Sequence, residues 1–313
     1  MGNVSQMAPR TITRDDFSAY LRATEPQQKV IPASAFAADV KRRMFNRDKR
    51  LDGLLPWSKS HHQIQFRPGE VTLWAGINGH GKSMMLSMVM LSLMSQDYRA
   101  CIASFEMKPD VQLERMMRQL AMSEDPSVEW VDASLQWMDG RLWFYDQQGT
   151  VDLDSVFAVC RYAADRLKIK HIVIDSLMKC VRGDDDYNGQ KQLVDELTAI
   201  ARDNEIHIHL VHHVRKQGDE NSPPGKFDVK GAGAITDQVD NVLIVWRNKF
   251  KEMKLRSDKA TDSDKDAPDA MLICDKQRNG EWEGVIKLWF HQQSMQYTPD
   301  ARCMPIDLMR LGS

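Results

Sequence analysis

With 313 residues, 42% hydrophobic residues and a formal net charge of −2, the chain can bury one large α/β core plus an appendage and has the composition of a soluble protein. The near-neutral balance argues against gripping a polyanion over the whole surface, so any nucleic-acid contact has to be local. The five cysteines, Cys101, Cys160, Cys180, Cys274 and Cys303, are scattered with no close pair, which disfavours a zinc site or disulfide framework and fits a reducing cytosol.

Residues 1–50 are polar, with an amphipathic helix expected around Ala35 to Phe45 and a basic cluster at Lys41, Arg42, Arg43, Arg47, Lys49 and Arg50. They read as an arm, and residues 51–313 as the folded domain. Asp15 and Asp16, with no apolar stretch beside them, disfavour a secretory or transit peptide, and Gln6 stands where myristoylation of Gly2 wants Ser or Thr. Expected strands are Val71–Ala75, Ala100–Phe105, Leu142–Tyr145, His171–Ile174, Ile206–Val211, Asn241–Trp246, Met271–Cys274 and Val285–Phe290. Between them Ser83–Met94, Val111–Met122, Leu153–Leu167 and Gln190–Asn204 read as helices. This alternation predicts an α/β fold with a mainly parallel twisted sheet flanked by helices. The last three strands follow one another with no predicted helix between them, so the C-terminal edge is expected to be antiparallel. Gln217–Lys230 and the charge-dense Lys251–Asp269 read as loops, the second as a solvated insertion. The Met-rich helix after residue 83 is too short to span a bilayer, so no membrane association is expected.

Gly76-Ile77-Asn78-Gly79-His80-Gly81-Lys82-Ser83 fits the P-loop pattern and lies between an apolar strand and a helix, the context this chemistry needs. Glycines let successive backbone N–H groups converge on phosphates, and the helix N-terminus adds partial positive charge. Lys82 offers a point charge to the β- and γ-phosphates, and Ser83 an oxygen to Mg²⁺. Gly76, Asn78, Gly79, His80 and Gly81 complete a cradle for a nucleoside triphosphate.

Ile172-Val173-Ile174-Asp175 would deliver a carboxylate to the C-terminal edge of a buried strand, where ligands bind in open α/β sheets. Following a P-loop, Asp175 is a candidate for orienting Mg²⁺. The strand ending at Phe105 leads to Glu106, which on spacing alone is equally a general base for water or a surface carboxylate. Lys276 and Arg278 fall in the turn between the last two predicted strands, where spacing alone favours a solvated hairpin tip over an arginine finger.

Taken together these segments resemble the RecA-like helicase domain of the DnaB superfamily, Twinkle and the phage primase-helicases above all, from about Leu54 to about Tyr297. Leu55-Pro56-Trp57 and Arg67-Pro68-Gly69-Glu70 match the approach to the P-loop, and Ser104-Phe105-Glu106-Met107 the segment with the catalytic glutamate. His209-Leu210-Val211-His212-His213 resembles the strand whose terminal polar residue senses the γ-phosphate, which implies that role for His213. Lys230-Gly231-Ala232-Gly233-Ala234-Ile235 with Asp240-Asn241-Val242-Leu243-Ile244-Val245 resembles the family's DNA-binding loop and following strand. Lys276-Gln277-Arg278-Asn279-Gly280 resembles its Lys-x-Arg motif, which implies that Arg278, with Lys276 beside it, reaches a neighbouring subunit's ATP site.

The resemblance implies an ATP- and Mg²⁺-dependent DNA helicase or translocase, a ring oligomer expected to be a hexamer, moving 5′–3′ on single-stranded DNA in the cytoplasm of a bacterial or phage-infected cell. Arg215, Lys216, Lys226, Lys230 and Gly231 are the implied DNA contacts, and Arg247 and Phe290 the implied adenine sandwich. A separate primase, polymerase or loader is a possible partner, because residues 1–50 are too few for a primase or collar domain. A RecA-like ATPase that is not a helicase, such as a recombination mediator or regulatory ring, is the alternative reading.

Overall fold

Four five-residue segments are buried along their whole length: Val71–Ala75 (β1), Ala100–Ser104 (β2), His171–Asp175 (β4) and His207–Val211 (β5). Burial of every residue, on both sides of the pleat, belongs to strands covered by helices on both faces. In the computed structural model, which describes residues 33–38, 40–41, 53–183, 185–215, 221–257 and 260–309, they do lie at the centre of a sheet. Leu142–Phe144 (β3), Asn241–Arg247 (β6), Ala270–Gln277 (β7), Gly284–His291 (β8) and Gln296–Thr298 (β9) complete it. The order is β3-β2-β4-β5-β1-β6-β7-β8-β9, parallel as far as β6 and antiparallel from β6 to β9.

Side chains alternate across the strands and feed two cores. Leu73 of β1 joins Leu193 and Val194 on one face, whereas Trp74 joins Met85, Met88 and Met116 on the other. Helix α1 (Lys82–Ser95) is apolar nearly all round and correspondingly buried. With it on its face lies α2 (Pro109–Ala121), while α4 (Leu153–Arg166) and α5 (Tyr187–Asn204) cover the opposite face. Among the described residues no helix is long and apolar enough to cross a membrane.

The α/β class, the mainly parallel sheet and the antiparallel C-terminal edge agree with the sequence. Several elements do not. Helix α3 (Val128–Met138), α6 (Ala232–Thr236) and strand β9 were not expected, and the segment read as a solvated insertion between β6 and β7 contains α7 (Lys249–Arg256) and α8 (Asp262–Asp266). Those last two are nucleated by caps: the Asn248 side chain accepts from Lys251 N, and Thr261 and Asp264 form a reciprocal capping box. The strands β6 and β7 are therefore not consecutive elements. The expected loop 217–230 is described from Asn221 onward; it holds a 3₁₀ turn at Lys226–Asp228 and is pinned by a bridge between Val214 and Val229. Of the expected Ala35–Phe45 helix, a 3₁₀ turn at Ala33–Phe36 and residues 37, 38, 40 and 41 are described; the rest lies outside the described residues, as does the basic cluster apart from Lys41.

Because β1 to β6 run parallel, their C-terminal ends share one edge of the sheet. Two reversals later, β8 again ends at that edge, since Arg247 pairs with Ala270 and Ala270 with Leu288. The intervening β7 ends at the opposite edge, with Gln277 beside Asn241 at the start of β6.

Candidate nucleotide site

A cavity of about 680 Å³ opens at the edge where the parallel strands end. The loop after β1 contributes Asn78, Gly79, Gly81, Lys82 and Ser83, and the ends of β2, β4 and β5 contribute Glu106, Asp175 and His213. Arg247 from the end of β6 and Phe290 from β8 line the same space. Ten residues scattered over more than two hundred positions thus converge because their strands point one way.

The P-loop is shaped by backbone conformation and close approach. Gly79 and Gly81 have φ of 77° and 86°, in the left-handed region that disfavours side chains, and a Cβ on Gly81 would stand 2.3 Å from the Tyr297 hydroxyl. Gly76 is fixed by proximity, since a Cβ there would stand 2.4 Å from Val245 O. Lys82 Nζ donates to the carbonyls of Gly76 (3.0 Å) and Ile77 (3.1 Å) and lies 3.3 Å from His213 Nδ1. Burial lowers this ammonium to about 8, against the opposing charges of Asp175 and Glu106.

Ser83 Oγ donates to Asp175 Oδ2 at 2.6 Å. Burial raises the Asp175 carboxyl above its ordinary range, with the Ser83 hydroxyl opposing the shift. Next in sequence, after a cis peptide bond, Ser176 Oγ donates to Glu106 Oε1 at 2.9 Å. Glu106 also faces His213, whose Nε2 is 3.9 Å away, and interaction with that ring, aided by Ser176, holds the carboxyl at about 2 despite its partial burial. The three groups Lys82, His213 and Glu106 form one electrostatic chain across the cavity. At the far end, the Arg247 guanidinium pairs with Glu252, donating from Nη2 at 2.9 Å, and the Phe290 ring lies 5.2 Å from that of Tyr297.

Two P-loop residues expected to touch nucleotide do not line the cavity. His80 is fully buried and its Nδ1 accepts from Arg247 N at 3.1 Å, so it braces the loop against β6; Gly76 supplies a carbonyl to Lys82 Nζ. Lys276 and Arg278 sit at the opposite edge of the sheet. Lys276 Nζ donates to the carbonyls of Thr236, Asp237 and Val239 at 2.7, 3.1 and 2.9 Å, and Arg278 Nη1 meets Asp240 Oδ1 at 3.2 Å. Of the expected DNA contacts, Arg215, Lys226, Lys230 and Gly231 share one segment tied to the cavity wall, because Lys230 N donates to His213 O at 3.2 Å and Arg215 N to Asp228 O at 2.7 Å. Gly231, at φ 68°, leaves room for Gln190 of α5. Lys216 lies outside the described residues.

Several lining residues carried no sequence signal: Arg115 on α2, Glu252 and Arg256 on α7, and Tyr297 on β9; nor did Ser176, buried behind the wall and bonded to Glu106. Only the Asn248 cap, one residue past β6, could have pointed to α7. The cavity suits a nucleoside triphosphate with a divalent cation. Open space flanks Gly79, cations at Lys82, Arg115, Arg247 and Arg256 suit an anionic guest, and the Ser83–Asp175 oxygen pair is a hard donor set.

Comparison with known proteins agrees with this architecture. A family model described as "AAA domain" matches residues 38–219. Among solved structures, one described as an ATPase domain superposes with a TM-score of 0.71 at 15% identity, covering 86% of this chain and 99% of that one. A structure described as that of a DnaB-like replicative helicase and its interactions with primase gives 0.67 at 15% identity, covering 88% and 68%. The fold of this chain is therefore similar to that of the ATPase domain and of the DnaB-like replicative helicase. With more than half its length matched, this chain belongs to the AAA domain family.

Proposed function

We propose that the chain is a ring-forming DNA helicase or translocase that hydrolyses ATP between neighbouring copies and moves along single-stranded DNA. The observation that carries this reading is a separation: the cavity lies at one edge of the sheet and Arg278 at the other. A finger so placed cannot serve its own cavity, but it can serve that of an adjoining copy. The hexameric state, 5′–3′ direction and membership of the Twinkle and phage branch, supported by a histidine at position 213, belong to the same proposal. So does a docking role for residues 1–50 as an arm on the ATPase domain 51–313.

Each residue then has a physical task. Lys82 leaves the Gly76 and Ile77 carbonyls for the β- and γ-phosphates, a stronger, charge-assisted partner. Ser83 and Asp175 would hold Mg²⁺, which neutralises charge on the phosphate oxygens when bound. Glu106, ionised throughout the neutral range, accepts a proton from the attacking water. Arg278 and Lys276 of the neighbouring copy stabilise the charge that develops on the transferred phosphoryl. His213 touches Lys82 and adjoins Glu106, so it registers whether a γ-phosphate is present, and its own carbonyl holds Lys230 in the proposed DNA segment. Arg247 and Phe290 would flank the base.

Mass measurement with a non-hydrolysable ATP analogue, ATPase assays with and without single-stranded DNA, and unwinding of a forked duplex test the proposal together. Assembly, stimulation and unwinding are expected. Stimulation without unwinding would instead favour a non-helicase RecA-like ATPase, and full activity as an isolated monomer indifferent to DNA would overturn the reading.

A further inference from the structure

The segment joining the cavity wall to α6 presents an aromatic ring to solvent. Phe227 is 81% exposed, although its neighbours are firmly held. Gly225 N donates to Asp228 Oδ2 at 2.8 Å and Asp228 N returns to Gly225 O at 3.0 Å, closing a tight turn. The turn is anchored on both sides. On one, Arg215 N donates to Asp228 O and Lys230 N to His213 O, with Val214 bridging Val229. On the other, the Asp275 carboxylate of β7 accepts from Lys226 N, and Lys226 Nζ donates to Asp275 O at 3.2 Å.

A phenyl ring in water buries little apolar surface in a single copy, so its presentation on a fixed turn leaves the ring face open to a ligand with an apolar face. The surrounding chemistry identifies that ligand. Lys226 Nζ stands 5.7 Å from the ring centroid, and Arg215 and Lys230 flank the turn, which combines an aromatic platform with cations suited to phosphates. A stack of this kind accepts any base, since every base has a π-face.

We propose that Phe227 is a positioning residue that stacks on a base of single-stranded DNA, while the adjacent cations follow its phosphates. This deepens the helicase reading and rests on it. The ring is carried by the turn hydrogen-bonded to His213 on one side and to Asp275 on the other, three residues before Arg278, so a change at either end of that connection shifts the platform holding the base.

The test compares binding of a fluorescent single-stranded oligonucleotide with that of an abasic backbone of equal length, using the full chain loaded with a non-hydrolysable ATP analogue. Phe227→Ala should weaken binding to the base-bearing strand at least about five-fold, the lower end of what one base–aromatic stack contributes. Binding to the abasic strand should be unchanged, and Phe227→Trp should restore the loss. Arg215→Ala should weaken both strands alike, with an effect that shrinks as salt rises. Unaltered binding of Phe227→Ala to the base-bearing strand overturns the stacking proposal while leaving DNA binding intact. Equal loss on both strands also overturns it, and a smaller assembly mass alongside would identify Phe227 as a contact between copies. Failure of the unmodified protein to bind either strand would bring down the helicase reading as well.

Discussion

Ser83 and Asp175, 92 positions apart, are joined by a hydrogen bond of 2.6 Å that ties the first turn of α1 to the end of β4. The acceptor is a buried carboxylate whose proton affinity is raised by its burial, so the bond serves a group that the fold does not favour in its charged form. Asp175→Asn therefore separates function from stability. Mg²⁺-dependent hydrolysis should fall by about 10–100-fold or more, because a neutral amide is a poor partner for the cation's shell. Stability should move the other way. A carboxyl with a raised folded-state pKa makes the native state the better proton binder, so stability declines as pH rises through that interval. Asn cannot ionise, and the variant should melt higher than the parent at neutral pH in a thermal scan.

Lys82 should set the alkaline limb of activity. Its ammonium, lowered to about 8 by burial, loses its charge above that pH in the free protein. kcat/KM, which reports the free enzyme, should fall above about 8. In kcat the limb should lie higher, since bound phosphates favour the charged form. The stability linkage has the opposite sense: between about 8 and the ordinary lysine value of 10.5, the unfolded chain binds the extra proton, and this group's contribution grows with pH. Identical limbs in the two kinetic profiles would exclude Lys82 as the phosphate partner.

Gly81 combines two constraints that substitution can separate. Its φ of 86° costs an L-residue roughly 1–2 kcal/mol, and an added methyl group would collide with the Tyr297 hydroxyl 2.3 Å away. Gly81→Ala should destabilise the domain in urea titrations and lose nucleotide binding. Adding Tyr297→Phe should recover part of the stability by removing the collision, and leave the backbone cost in place.

Arg278→Ala should lower hydrolysis by about 10³–10⁵-fold, the range of an arginine finger, while leaving binding of a fluorescent ATP analogue intact. Its neighbour Asp240 keeps a hydrogen bond from Val71 N at 3.0 Å, so the fold should survive. Mixing this variant with Glu106→Ala should restore some activity, because hybrid interfaces then contain one intact glutamate and one intact arginine. Absence of recovery in mixed assemblies would mean that one copy supplies both residues to a site, or that Arg278 serves none.

What could be read from the amino acids was what is local. The P-loop is contiguous, and its glycines, lysine and serine act through backbone geometry within a few residues, so Gly79, Gly81, Lys82 and Ser83 were legible before any fold. The same holds for β1, β2, β4 and β5, whose short, mostly apolar and β-branched segments follow from burial on both faces. Helices α7 and α8 were obscured because their many charges resemble a loop and their caps at Asn248 and Thr261 carry the signal instead. Strand β9 is three residues long and exists through its pairing with β8. Tertiary structure alone decided the rest. Parallel direction gathered Glu106, Asp175, His213 and Arg247 at one edge, and the reversal at β7 sent Arg278 to the other. His80 became a brace, and Ser176, Arg115 and Tyr297 became cavity neighbours, because hydrogen-bonded register fixes which distant side chains meet, and no spacing along the chain encodes that register.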